Sequence, residues 1–322
     1  MNTGLQIMAQ ATATDYQRDP TRWGSEEVAA HFPGFTHMDV RTSGAVIRLR
    51  HGGSGPPLLL VHGNPQNHTC WYKIAARLAK DYHVILPDLR GYGDSSLPDV
   101  GPDHTNYSFR AMAQDLLDIM DQLGYGTFFV AGHDRGGRTV HRLCLDHPER
   151  VMKVCLMDIL PNHYVWHNPT KAWVLGTWHW AFMAQPEPFP ERLISAVPAE
   201  YFLRSRMVIR GGTGLGFLTE SALAEYVRCY TPEAIHGNCE DYRAGATIDL
   251  EHAAADGGRL VERPLLVLWG QESTVGRLHD VMDVWRRHGR DVRGHAVPGR
   301  HFIAEECPDE TVAALRMFYS AG

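Results

Sequence analysis

Phe128-Phe-Val-Ala-Gly-His-Asp-Arg-Gly-Gly-Arg138 is the stretch whose reading decides the fold. An apolar run leads into Gly132-His133-Asp134-Arg135-Gly136, and a helical pattern follows. Strand, glycine, one central side chain, glycine, helix is the pattern of a nucleophile elbow. The glycines are needed because so tight a turn leaves no room for side chains on neighbouring backbone. The turn pushes the central side chain into the open above the sheet. Here that side chain is Asp134 rather than an alcohol. A carboxylate is anionic near neutral pH and needs no base to activate it. It can attack a saturated carbon and form an ester. That chemistry suits carbon–halogen or epoxide opening better than acyl transfer. The competing reading is a plain helix cap, for which Asp is also well suited.

Around this stretch, short apolar runs alternate with helical patterns. The runs are Val46–Leu49, Pro57–His62, His83–Pro87, Phe128–His133, Lys153–Asp158, Pro264–Gly270 and Arg293–Val297. They are rich in Val, Leu and Ile and bounded by Gly or Pro, as strands buried on both faces of a parallel sheet are. Ser108 reads as an N-cap, with Met112, Leu116, Ile119, Met120 and Leu123 on one helical face and Gly124 as the stop. Alternating strands and helices imply an α/β fold with a parallel sheet. The alternation fails over residues 161–250, which hold Trp166, Trp173, Trp178 and Trp180. This stretch reads as a helical cap domain inserted into a core of residues 31–160 and 251–322, with an irregular N-terminal arm over residues 1–30. The plain reading of the tryptophans is that they cement the insertion to the core.

The chain has 322 residues, 44% hydrophobic and 21% charged, with a net charge of −6. These values exclude disordered and fibrous classes. No Lys/Arg-rich run supports nucleic-acid binding. The longest apolar stretch, Ala172–Ala184, is shorter than the ~20 residues a membrane span needs. No secretory signal is visible at Met1–Tyr16, and six scattered cysteines form neither a disulfide framework nor a metal motif. The expectation is a cytoplasmic protein without cofactor or metal, whose partner is a small substrate rather than nucleic acid or membrane.

In open α/β sheets, ligands sit at the C-terminal ends of strands, and the elbow chemistry orders its residues as nucleophile, acid, histidine. Asp158 ends the next apolar run, and His301 lies in Pro298-Gly-Arg-His-Phe302 after the last one. Asp158 would orient His301, and His301 would take a proton from the water that cleaves the Asp134 ester. Glu272, in Trp269-Gly-Gln-Glu, is a rival acid. The turn His62-Gly-Asn-Pro65 can aim the Asn64 N–H at the site and, with the Arg135 N–H, form an oxyanion hole. Arg135 and Arg138 stand in the first helical turn, where cations oppose the helix dipole. A bound anion would reverse that penalty, so they imply a small carboxylate substrate; the plain alternative is pairing with local acids such as Asp158 or Glu149.

Taken together, these motifs resemble the α/β-hydrolase superfamily in its dehalogenase and epoxide hydrolase branch, over roughly residues 32–318. Within it, the chain most resembles fluoroacetate dehalogenases. It has Arg after the nucleophile, in His133-Asp-Arg-Gly-Gly-Arg138, where haloalkane dehalogenases and many epoxide hydrolases have Trp. Leu156-Met-Asp-Ile-Leu-Pro161, His179-Trp-Ala-Phe-Met-Ala-Gln-Pro186 and Cys239-Glu-Asp-Tyr-Arg-Ala-Gly-Ala246 carry the same likeness. The resemblance implies an α/β-hydrolase fold, with a mostly parallel eight-stranded sheet, flanking helices and a helical cap. It implies Asp134, Asp158 and His301 as a catalytic triad, and Arg135 and Arg138 as carboxylate ligands. It implies His179, Trp180 and Tyr242 as halide donors, and often a homodimer. Asn64 departs from the pattern: fluoroacetate dehalogenases have an apolar or aromatic residue there, and haloalkane dehalogenases use an Asn side chain on the halide. The expected activity is hydrolysis of a 2-haloacid, fluoroacetate or chloroacetate, to glycolate and halide. An epoxide hydrolase using Tyr242, Tyr226 or Tyr230 as acid is the alternative, and a non-catalytic small-molecule receptor on the same fold is a remote one.

Overall fold

The computed structural model describes residues 26–211 and 214–320. Eight strands form one sheet: β1 (Phe35–Arg41), β2 (Val46–Gly52), β3 (Pro57–Val61), β4 (His83–Pro87), β5 (Phe128–His133), β6 (Val151–Met157), β7 (Leu265–Gly270) and β8 (Val292–Val297). Their order is β1-β2-β4-β3-β5-β6-β7-β8. The β1–β2 and β2–β4 pairs are antiparallel, and every other neighbouring pair is parallel. Helices cover both faces of the parallel part. Leu58, Leu59, Leu60 and Val61 of β3 and Val154, Cys155, Leu156 and Met157 of β6 are therefore all 0% exposed. No described helix is long and apolar enough to cross a membrane.

β1 is an addition to the sequence reading, which began the sheet at Val46. It is an edge strand whose Thr36, His37, Asp39 and Arg41 dilute the apolar signal. Its Asp39 forms an ion pair with Arg48 of β2, so a charged pair rather than a run of Val or Leu zips the edge. The expected N-terminal arm lies outside the described residues up to residue 25. Its described remainder is a short helix, Glu26–Ala30, that buries Val28.

The helix Phe109–Gln122 forms where the periodicity predicts it. The Ser108 hydroxyl accepts from the Ala111 N–H at 3.2 Å. Met112, Leu116, Ile119 and Met120 are buried along one face, and Gly124 leaves the helix at φ +81°. Between β6 and β7 the described residues form helices only, from Asn162–His167 to Ile248–Ala255. Trp180 packs against Trp166 and Trp173, with ring centroids 5.8 and 6.2 Å away, and Trp173 reaches His279 at 5.1 Å. That contact joins the helical layer to the segment after β7.

A second joint is buried at Glu305, in the short helix Ile303–Glu306. Its carboxyl accepts from the Tyr226 hydroxyl at 2.8 Å and from the Gln66 amide. Tyr226 belongs to the helix Glu220–Cys229, and Gln66 to the loop after β3. One acid thus ties three segments together. Burial pushes it up to about 8, and its hydrogen bonds only partly offset that.

The elbow itself depends on absent side chains. A Cβ at Gly136 would lie 2.1 Å from the His62 carbonyl oxygen and 2.5 Å from that of Val61. Both are backbone atoms at the end of β3 and cannot swing aside. Gly136→Ala should therefore lower unfolding stability by ~3 kcal/mol, as overpacking does. Gly126→Ala, with nothing within 4 Å, should be near neutral; paired urea titrations would check both. A second expectation concerns Glu305. In the unfolded chain it ionises near 4.5, and in the fold near 8. Between these values the folded state holds a proton that the unfolded state has lost, so stability falls as pH rises. The slope is at most ~1.4 kcal/mol per pH unit. In Glu305→Gln this component should vanish, and the two proteins' unfolding free energies should converge or cross as pH rises toward about 8.

Candidate active site

Asp134 opens the helix Asp134–Asp146 directly after β5 with φ +51°, and Asp158 follows β6 with φ +49°. Both are non-glycine residues in the left-handed region, a conformation that costs of order 1–3 kcal/mol and collects at functional sites. Each projects a carboxylate above the C-terminal edge of the sheet. His301 returns to the same edge from the loop after β8. All three are buried, at 1%, 2% and 5% exposure.

Their geometry fixes a direction. His301 Nδ1 donates to Asp158 Oδ2 at 2.6 Å, and the Gly270 N–H donates to Asp158 Oδ1 at 3.1 Å. The other ring nitrogen, Nε2, then points at Asp134 Oδ2, 3.5 Å away. The His301 carbonyl accepts from His133 Nε2 at 2.7 Å, which pins the loop from below. An imidazole held this way can draw a proton from a water between it and Asp134. Glu272, the rival acid, is exposed on an outer cavity of about 560 Å³ beside Arg277 and Arg300, and does not pair with His301.

The Asn64 N–H donates to Asp134 Oδ1 at 3.0 Å. Gly63 permits this approach, since a Cβ there would lie 2.4 Å from the Asp134 Cβ and 3.0 Å from the Arg135 nitrogen. Both expected oxyanion donors are therefore beside the Asp134 carboxyl. The Asn64 side chain is committed elsewhere: Nδ2 donates to Asn238 Oδ1 at 2.6 Å, while Oδ1 accepts from Arg206 and Tyr242. Its second N–H faces the Tyr92 hydroxyl oxygen at 3.5 Å, so the side chain presents no free N–H to a halide, in contrast to the haloalkane dehalogenase pattern.

The two arginines part company. Arg135 donates through Nε to Asp241 Oδ2 at 2.9 Å and through Nη2 to Oδ1 at 2.5 Å. Its partner is neither Asp158 nor Glu149 but an acid on the helix Pro232–Ala246. Burial works against its charge, and the Asp241 carboxylate outweighs that and keeps it firmly protonated. Its Nη1 makes no hydrogen bond among the described residues. Arg138 instead turns to the elbow. Its Nη1 is 3.8 Å from Asp134 Oδ2, and its guanidinium lies 4.5 Å over the Trp180 ring. A small cavity is bounded by Asp134, Arg138, Asp158, Trp180 and His301.

The expected halide donors converge on the same side. His179, Trp180 and Tyr242 are 1%, 5% and 0% exposed. The Tyr242 ring is 5.6 Å from that of His179 and 6.0 Å from that of Trp180. Trp180 Nε1 is buried with no hydrogen-bond partner among the described residues, a donor aligned with nothing the protein itself supplies. Tyr226 is spent on Glu305, whereas the Tyr230 ring stacks on Phe202 and its hydroxyl is buried with no hydrogen-bond partner among the described residues. The sequence reading missed Asp241 and Tyr92, whose hydroxyl donates to Asp241 Oδ2 at 2.6 Å. The one available signal was the acid preceding Tyr242.

Residues 56–307 match the alpha/beta hydrolase fold family. The chain is 43% identical to a fluoroacetate dehalogenase of Burkholderia sp, over 90% of this chain and 95% of that one. It is 29% identical to a soluble epoxide hydrolase of Corynebacterium sp. (strain C12), over 88% and 97%. The crystal structure of an alpha/beta hydrolase candidate from Nostoc sp PCC 7120 superposes with a TM-score of 0.88 at 47% identity, covering 90% of this chain and all of that one. Elbow, strand order and sequence agree that the chain belongs to the alpha/beta hydrolase fold family.

Proposed function

We propose that the protein is a hydrolase acting on carbon–halogen bonds, and that it converts a small 2-haloacid such as fluoroacetate or chloroacetate to glycolate and halide. The observation that carries this reading is a buried carboxylate nucleophile that shares one small cavity with a guanidinium and with a tryptophan whose indole N–H has no partner among the described residues. A haloacetate needs all three: a nucleophile for its carbon, a cation for its carboxylate and a donor for its halogen. The 43% identical relative, a fluoroacetate dehalogenase, supports the same assignment.

In the first step an Asp134 oxygen attacks the halogen-bearing carbon from behind. The carbon–halogen bond breaks, its electron pair leaves with the halide, and an Asp134 ester remains. Arg138 aligns the substrate carboxylate, and Arg135 adds its charge and its remaining Nη1 edge. His179, Trp180 and Tyr242 donate to the departing halide, where bonds that strengthen as charge develops lower the barrier. In the second step His301 takes a proton from water, and the water oxygen adds to the ester carbonyl carbon. The Asn64 and Arg135 N–H groups stabilise the resulting oxyanion; on collapse the ester C–O bond breaks, the departing oxygen takes the remaining proton of the added water, and His301 gives up its proton to solvent, which leaves the Asp134 carboxylate and free glycolate. Asp158 holds His301 in the tautomer this requires.

The epoxide reading shares the ester chemistry and the 29% identical relative. It needs a tyrosine acid, for which Tyr242, beside His179 and Trp180, is the candidate. Two arginines at the site favour an anionic substrate instead. Turnover of styrene oxide with no halide released from any haloacid would reverse the order of the two readings.

The direct test is halide release from fluoroacetate and chloroacetate. Asp134→Asn should abolish it. His301→Ala should release about one halide per active site and stop, with a carboxymethyl group left on Asp134 and visible as a mass increment on the peptide holding it. Continued turnover in His301→Ala would refute the assigned base. Arg138→Gln should raise KM by roughly ten- to a hundredfold, the loss of one charge-assisted contact, and an unchanged KM would move the carboxylate site elsewhere.

A further inference from the structure

The haloacid reading leaves one buried charge unused. Arg206, on the helix Ala199–Gly211, is 1% exposed. Several buried arginines pair with carboxylates, among them Arg90 with Asp115 and Arg135 with Asp241. Among the described residues no carboxylate pairs with Arg206. Its Nη1 rests on the Met183 sulfur at 3.4 Å, and its Nε has no hydrogen-bond partner. A guanidinium carries a permanent charge, and burying one without a counter-ion is costly. Its one strong bond is from Nη2 to Asn64 Oδ1 at 2.9 Å.

That oxygen is placed where it matters. The Asn64 N–H touches Asp134, and the same Oδ1 accepts from the Tyr242 hydroxyl at 3.4 Å. The orientation of the amide is forced. Asn238 Nδ2 donates to the carbonyls of Gly91 and Ala234 at 3.0 and 2.8 Å, so its Oδ1 must face Asn64. Asn64 Nδ2 answers that oxygen, and turning the amide over would set an NH₂ group against a guanidinium. Asn64 therefore offers an acceptor, not a donor, to Tyr242. While the Tyr242 hydroxyl points at Asn64, it does not point at a halide.

Resting on the haloacid reading, we propose that Arg206 is a positioning residue for halide departure. It keeps the Asn64 oxygen hydrogen-bonded when the Tyr242 hydroxyl rotates away, and so frees that hydroxyl for the leaving halide. Without Arg206, the same rotation would strand a buried acceptor, which carries a full desolvation penalty. The effect is largest for fluoride, which leaves carbon least readily and accepts hydrogen bonds most strongly.

The test is single-turnover halide release by wild type, Arg206→Met, Asn64→Leu and the double variant, with fluoroacetate and chloroacetate. Arg206→Met should slow fluoride release about tenfold more than chloride release, the scale of one hydrogen bond to a charged group. KM for both substrates should stay within about twofold, because the contact acts only in the transition state. In the Asn64→Leu background, which lacks the competing oxygen, Arg206→Met should no longer discriminate between the halides. Arg206→Gln, a donor without charge, keeps the test open if Arg206→Met does not fold, and it should retain most of the fluoride rate. Equal losses for both halides, or an undiminished loss in the Asn64→Leu background, would overturn the proposal and leave the haloacid reading intact. No halide release by wild type from either substrate would overturn both.

Discussion

A carboxylate that must attack carbon cannot sit in bulk water, where hydration blunts it, and cannot be buried alone, where desolvation would cost several kcal/mol. Asp134, at 1% exposure, lives inside that constraint. Its charge is met by the Asn64 N–H at 3.0 Å and by Arg138 at 3.8 Å, with His301 Nε2 3.5 Å away. The opening turn of its own helix adds a favourable dipole. The glycines at 63, 132 and 136 exist to let backbone come this close. The rest of the sheet holds three strand ends in register around them.

The same constraint separates two arginines that sequence places one helical turn apart. Arg135 lies between the Phe109 and Tyr242 rings, its guanidinium 4.6 Å from each, and locks onto Asp241. Arg138 lies over Trp180 and approaches the nucleophile. One is a structural strut with a spare edge, and the other is a lining residue of the cavity. A buried cation with a bidentate carboxylate is rigid and expensive to disturb, whereas a cation stacked on an indole is held by the ring face.

Much of this was legible in the sequence because it is local. The elbow, the Val- and Leu-rich runs and the Ser108 cap are each decided within a few residues. Asp158 and His301 stood out because both follow predicted strands, and strand ends meet wherever a parallel sheet forms. β1 escaped notice because its Thr36, His37 and Asp39 obscure the alternation, as suits an edge exposed to water. Asp241 and Arg206 escaped for a different reason. Their partners, Arg135 and Asn64, are 106 and 142 residues away, and a helix full of polar residues does not reveal which one turns inward. The loop after β3 brings the Asn64 N–H to Asp134, but the Asn64 side chain was open in the sequence, since it is settled by Asn238 and Arg206 rather than by its own loop.

The Arg135–Asp241 bond also bears on traffic. Asp241 and Tyr242 are neighbours on one helix, so raising that helix to admit a molecule would pull the acid off a guanidinium with no water to replace it. Breaking such a pair costs about 3–5 kcal/mol. This flank therefore behaves as a hinge-side wall. Thr274 borders both the small cavity over Asp134 and the outer cavity of about 560 Å³, so one side chain is common to the walls of both.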